Sequence, residues 1–147
     1  MPKTHEKYLF RKHEAAETRR RSAHRLIEVL LRPDPEILPE HRREFLKTAL
    51  WKLTEAESVE KHGTRYCSEA AFSNPNQRLR HDHVHQRALM ADKLLNGSQS
   101  DIAAILEPAV GCTITEEEHR LLDKHDHLDG WARYHAAGIK YREVEPS

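Results

Sequence analysis

Twelve histidines in 147 residues give this chain its chemical character, and three of them crowd into Arg80-His81-Asp82-His83-Val84-His85. Imidazole changes charge near neutral pH, and its neutral form ligates metals. If residues 80–85 are extended, His81, His83 and His85 share one face while Asp82 and Val84 share the other. Val84 then points into the core and draws Asp82 partly inward. An inward carboxylate needs a cation, a hydrogen-bond donor or a metal as its partner. The competing arrangement is a surface histidine strip with Asp82 capping a turn or helix.

A second constellation follows at Cys112-Thr113-Ile114-Thr115-Glu116-Glu117-Glu118-His119. Thr115 and Glu118 have capping-box spacing, so a short strand feeds a helix that carries His119 in its first turns. From there the ring can aim across the strand, toward a partner strand bearing Asp82 and His83. A strand–strand–helix arrangement of this kind draws ligands from different elements and leaves positions open for water and phosphate.

Asp82-His83-Val84, followed by a strand and a helix with His119, resembles the HNH, or ββα-metal, nuclease family over about residues 79–125. The resemblance implies metal-dependent phosphodiester hydrolysis on nucleic acid, in an active or a degenerate form. It implies a divalent ion (Mg, Mn, Ni or Zn) on Asp82 and His119, with His83 as general base and Arg80 or Arg87 on the neighbouring phosphate. The chain departs from the family pattern in four ways, the first being that the zinc-binding Cys pairs used by many members are absent. Val84-His85-Gln86 stands where an apolar residue, one more residue and Pro are common, the middle Asn has no counterpart, and the interval from His83 to His119 must hold inserted helices.

Other residues offer other chemistry. His81, His85 and Cys112 are further candidates at the same place. Cys67 and Cys112 with two histidines would make a structural zinc site, although neither cysteine has a second ligand at close spacing. His119, His125 and His127 would chelate from one helix, or simply be solvated. Lys61-His62-Gly63-Thr64-Arg65-Tyr66 places Arg65 and an aromatic beside a glycine, which suits a phosphate grip or a basic turn with Tyr66 in the core. Trp131 and Tyr134 read as a C-terminal packing element whose polar tips stay wet.

Charge is balanced, 24 Lys+Arg against 24 Asp+Glu, which removes the simplest argument for a nucleic-acid partner. The distribution is uneven. Residues 1–25 carry eight Lys/Arg against three Glu, and residues 101–130 carry eight acids against two bases. The basic start, with Arg19, Arg20 and Arg21, suits contact with a phosphate backbone. A non-catalytic regulatory protein of phage or mobile-element type, binding nucleic acid or a nucleic-acid-associated protein, is therefore the alternative to an enzyme. No apolar run is long enough for a membrane span or a signal peptide, and two dispersed cysteines suit a reducing cytoplasm.

The elements that must position these residues are mainly helical. Ala23, Leu26, Ile27, Leu30 and Leu31 form a stripe that Pro33 and Pro35 terminate. A second helix starts near Pro39 and presents Phe45, Leu46, Ala49, Leu50 and Leu53. A third carries Ala88, Leu89, Leu94 and Leu95 and stops at Asn96-Gly97, with Gly97 left-handed. Ser98 and Asp101 cap a short helix through Ile102, Ile105 and Leu106, and Asp129 caps the last one. Short strands are expected near 64–67, 80–84, 110–114 and 139–144. The fold class is α+β, predominantly helical, with a polar basic arm or helix over 1–22 and one domain over 23–147.

Overall fold

The computed structural model describes residues 7–147. Among these the fold is α+β as expected, with seven α-helices and one four-stranded sheet.

Helix α1 (Ala16–Leu30) buries Ala23 and Ile27, and α2 (Pro39–Glu55) buries Leu46, Ala49, Leu50 and Leu53 from a start with Pro39 in its first turn. They pack with α4 (Arg87–Asn96) and α5 (Ile102–Leu106) around a core that adds Met90, Leu94, Ile102 and Leu106. Between β1 (Tyr66–Ser68) and β2 (Leu79–His83) lies α3 (Glu69–Ser73), which sequence periodicity does not reveal because it makes little more than one turn. Ser68 caps it, accepting from the Ala71 N–H at 3.1 Å.

The sheet order is β2-β3-β1-β4, where β3 is Gly111–Thr115 and β4 is Tyr141–Glu143. β3 runs antiparallel to β2 and parallel to β1, with Asp82 opposite Cys112, His81 opposite Thr113 and His83 opposite Gly111. The two-residue period then separates the faces. Cys112 and Ile114, continued by Val84, pack against Leu122 of α6 (Glu116–Asp123) and Tyr134 of α7 (Trp131–Ala136). On the opposite face His81 and His83 meet α2.

Several expectations need correction. Tyr8 and Phe10 are buried at 3% and 0% exposure, so the described part of the N-terminal segment is core rather than a separate arm, and position 22 falls inside α1. Lys3 lies outside the described residues. Leu26, Phe45, Leu89 and Leu95 are exposed, and α4 turns Met90 and Ala91 inward instead. Gly97 has φ −91°, so it closes α4 in an extended conformation. Asp129 does not cap α7: Gly130 takes that position at φ +66°, and Asp129 accepts from the Gln86 N–H at 2.7 Å. Both capping boxes, Ser98/Asp101 and Thr115/Glu118, form as read. No helix among the described residues is long and apolar enough to cross a membrane.

Candidate functional site

Strand β2 divides its chemistry between two faces. Asp82 points toward α7, where Arg133 Nη2 donates to Oδ1 at 3.0 Å and Oδ2 at 2.8 Å, and the Tyr134 hydroxyl donates to Oδ2 at 2.6 Å. The partner that an inward carboxylate requires is thus a guanidinium. Burial pushes the Asp82 pKa up, while Arg133 and Tyr134 pull it down. The same guanidinium donates to the His83 carbonyl at 3.1 Å, which fixes the strand end to α7. Tyr134 is fully buried, so its tip is not wet; it is fully engaged with Asp82. Cys112 lies beneath this pair, and burial pushes its thiol well above the usual range, so it is a packed apolar residue rather than a thiolate ligand.

His81 and His83 lie on the other face, both 8% exposed, against the C-terminal end of α2. Thr54 Oγ1 donates to the Trp51 carbonyl at 3.0 Å, the helical back-bond common for threonine. With its single proton used there, the same oxygen accepts from His81 Nε2 and from His83 Nδ1, each at 3.3 Å. The remaining ring nitrogens, His81 Nδ1 and His83 Nε2, are buried with no hydrogen-bond partner among the described residues. The Trp51 indole packs on both rings, with centroids 5.5 and 4.8 Å away. Gly111 is required opposite them, because a Cβ there would come within 2.6 Å of His81 Nε2.

This environment keeps both imidazoles neutral. Burial, with His62, Lys61 and Arg87 adding positive charge and the Lys61 carbonyl opposing, lowers His81 to about 4. Burial together with His81, Arg87 and Arg133 lowers His83 to about 2. A neutral imidazole accepts protons or ligates metal in principle, but these two are enclosed by protein atoms on the α2 side of the sheet.

The remaining expected ligands are dispersed. His119 is half-buried on α6, on the Asp82 side of the sheet and near enough for its charge to act on Asp82, but its ion-pair partner is Asp123 at 4.0 Å. His85 faces Asp129 at 3.3 Å and packs on Gly130, at the end of β2. Cys67 pairs with Thr113 and Cys112 with Tyr66, so the cysteines occupy opposite faces and a zinc site using both does not form. The His125 and His127 rings lie 6.0 Å apart. Among the described residues no group of three or more His, Cys, Asp and Glu is placed to hold a metal ion.

The expected phosphate contacts also separate. Arg65 pairs with Glu57. Arg87 lies 4.7 Å above the Trp51 ring. On the first half of α1, Arg20 donates to the Leu106 carbonyl and Arg21 to Thr18; Arg19 is half-buried on the same helix. Arg20 and Arg21 line a recess of about 440 Å³ against Leu106 and Glu107, Arg20 and Arg65 line another of about 290 Å³, and Arg80 borders one along the outer edge of β2.

That recess, about 360 Å³, is lined by Trp51, Lys61, His62, Arg78, Leu79, Arg80, His81 and Glu116. A second, of about 490 Å³, adjoins it through Lys61, His62 and Leu79, and is bordered by Lys7, Tyr8, Arg11, Glu60, Pro75 and Gln77. The pair forms a track along the edge strand with five Lys/Arg and two Glu. Glu116 is shared by Arg78 at 3.6 Å and Arg80 at 3.3 Å, and Glu60 pairs with Arg11; among the described residues Lys7 and Lys61 have no acidic partner, and the Lys61 ammonium lies 5.5 Å from the Trp51 ring centroid. Sequence reasoning singled out Lys61 and His62 but not Trp51, Thr54 or Arg78. The visible signal for Thr54 was a polar residue directly after Leu53, on a stripe of otherwise apolar positions.

Comparison with protein-family models, with curated proteins and with solved structures finds no match to this chain.

Proposed function

We propose that the protein binds nucleic acid through the basic track along β2 and acts as a non-catalytic, regulatory binding module. The observation that carries this reading is the gathering of Lys7, Arg11, Lys61, Arg78 and Arg80 around two adjoining recesses in a chain of zero net charge. Phosphate contacts made by such side chains supply affinity without needing sequence readout. Fluorescence anisotropy with a labelled oligonucleotide tests it. Combined Lys61→Gln, Arg78→Gln and Arg80→Gln substitution should weaken binding at least tenfold with the fold intact. Unchanged affinity would overturn the reading.

Metal-dependent hydrolysis, which the HNH resemblance implies, fits these side chains poorly. Both Asp82 oxygens are engaged by Arg133 and Tyr134, His83 faces away from Asp82 across the strand, and a bound cation would have to displace a buried guanidinium. The order β2, β3, α6 supports a shared ββα framework, which this reading assigns to binding. Plasmid incubated with Mg²⁺, Mn²⁺, Ni²⁺ or Zn²⁺ should stay intact. Nicking by the parent chain that is lost in His83→Ala would restore the hydrolytic reading.

A further inference from the structure

The shape of the track carries more than its charge, and resting on the nucleic-acid reading above, we propose that its ligand is a single strand, held with successive nucleotides in the two recesses. Each recess has the size of a site for one small molecule, about 300–1,000 Å³ by the usual range. The two meet at Lys61 and His62, so the residues that divide them are also the ones suited to the phosphate linking two nucleotides.

The linings agree with that assignment. The half-buried Trp51 and the exposed His62 give the smaller recess its accessible rings, with Leu79 beside them, and Leu9, Pro75 and Leu79 give the larger an apolar wall over the buried Tyr8. The cations Lys7, Arg11, Arg78 and Arg80 complete the linings. Single-strand binders combine these two features, a cationic path for the backbone and ring faces for unstacked bases. A duplex keeps its bases stacked inside and is read by elements that protrude into its grooves, such as a helix or a two-stranded ribbon. The track is concave. Its neighbour β2 is an edge strand of the sheet.

Titrating the full chain with eight-nucleotide oligodeoxythymidine, the matching oligouridine and a hairpin duplex, at low salt, tests this directly. Binding is read by anisotropy of a labelled strand and by intrinsic tryptophan fluorescence. The single strands should bind at least tenfold more tightly than the hairpin and change the fluorescence. In Trp51→Phe, which keeps Trp131, that change should vanish. Lys61→Gln, at an exposed position away from core packing, should weaken single-strand binding about threefold to tenfold even if Trp51→Phe disturbs the fold. Either sugar satisfies the proposal, and the comparison of the two oligonucleotides identifies the preferred polymer. Equal or tighter hairpin binding would overturn the single-strand inference while leaving the function above in place. Single-strand binding indifferent to Lys61→Gln would overturn it too, and no binding to any of the three would overturn both.

Discussion

Arg133 and Asp82, distant in sequence, meet in the interior at 2.8 Å with side chains only 6% and 9% exposed. Removing one member of a buried ion pair strands the other charge in a medium that cannot solvate it, at a cost of about 3–5 kcal/mol. Asp82→Asn should therefore lower unfolding stability by that order, and Tyr134→Phe by about 1–3 kcal/mol for the loss of a charge-assisted hydrogen bond. Urea denaturation in the presence of a chelator checks both. A metal-ligand role for Asp82 predicts the opposite pattern: an unaltered or more stable apoprotein, and loss of any stabilisation by added metal.

The paired imidazoles make stability fall on acidification. His81 and His83 have folded pKa values lowered to about 4 and about 2. Their unfolded values lie near ~6.5, so below that pH the unfolded chain binds the protons that the folded chain refuses. Their stabilising effect is complete above ~6.5. It is lost as pH falls, at roughly 1 kcal/mol per pH unit for each ring, until the folded groups titrate in turn. The positive charges of Lys61, His62 and Arg87 beside His81, and of Arg87 and Arg133 beside His83, act in the same direction as burial. Urea midpoints measured at pH 7.5, 6 and 5 should decline, and His81→Gln should flatten the decline. A midpoint independent of pH would show that the rings are solvated.

The described start of the chain packs into the core through Tyr8 and Phe10. Phe10 is fully buried, and the Tyr8 hydroxyl donates to the Thr64 carbonyl at 2.6 Å. The backbone of this segment also accepts from Val59 and Ser147 through Arg11 and Phe10. Phe10→Ala should cost about 3–5 kcal/mol. Thermal melting of that variant should show a clear fall, whereas an unchanged melting temperature would mean that the segment is detachable.

How much of this was legible can be judged from particular residues. The alternation in 80–85 placed Asp82 and Val84 on one inward face, and the need for a carboxylate partner followed from that. Its identity did not, because Arg133 reaches Asp82 from a six-residue helix too short for a reliable periodic pattern. Capping boxes were readable since they depend on local spacing, and both formed. The burial of His81 and His83 was hidden: alternation shows that a strand has two faces, but not that α2 covers the second one. β1 and β4 span three residues each, where propensity carries little information; β4 falls inside its expected segment, whereas β1 starts two residues later than expected and runs one residue past it. The basic track joins residues from the N-terminal segment, the end of α2, the loop after it and β2. No window of sequence contains it.

The most direct test of the account is the salt dependence of oligonucleotide affinity. With about three phosphates neutralised by the track, the logarithm of the binding constant should fall against the logarithm of salt concentration with a slope of about −2 for a single strand. The variant carrying Lys61→Gln, Arg78→Gln and Arg80→Gln, which keeps Lys7 and Arg11, should show a clearly shallower slope. A parent chain that shows no salt dependence, or a variant that keeps the parent slope, would contradict the claim that this edge of the sheet grips a phosphate backbone.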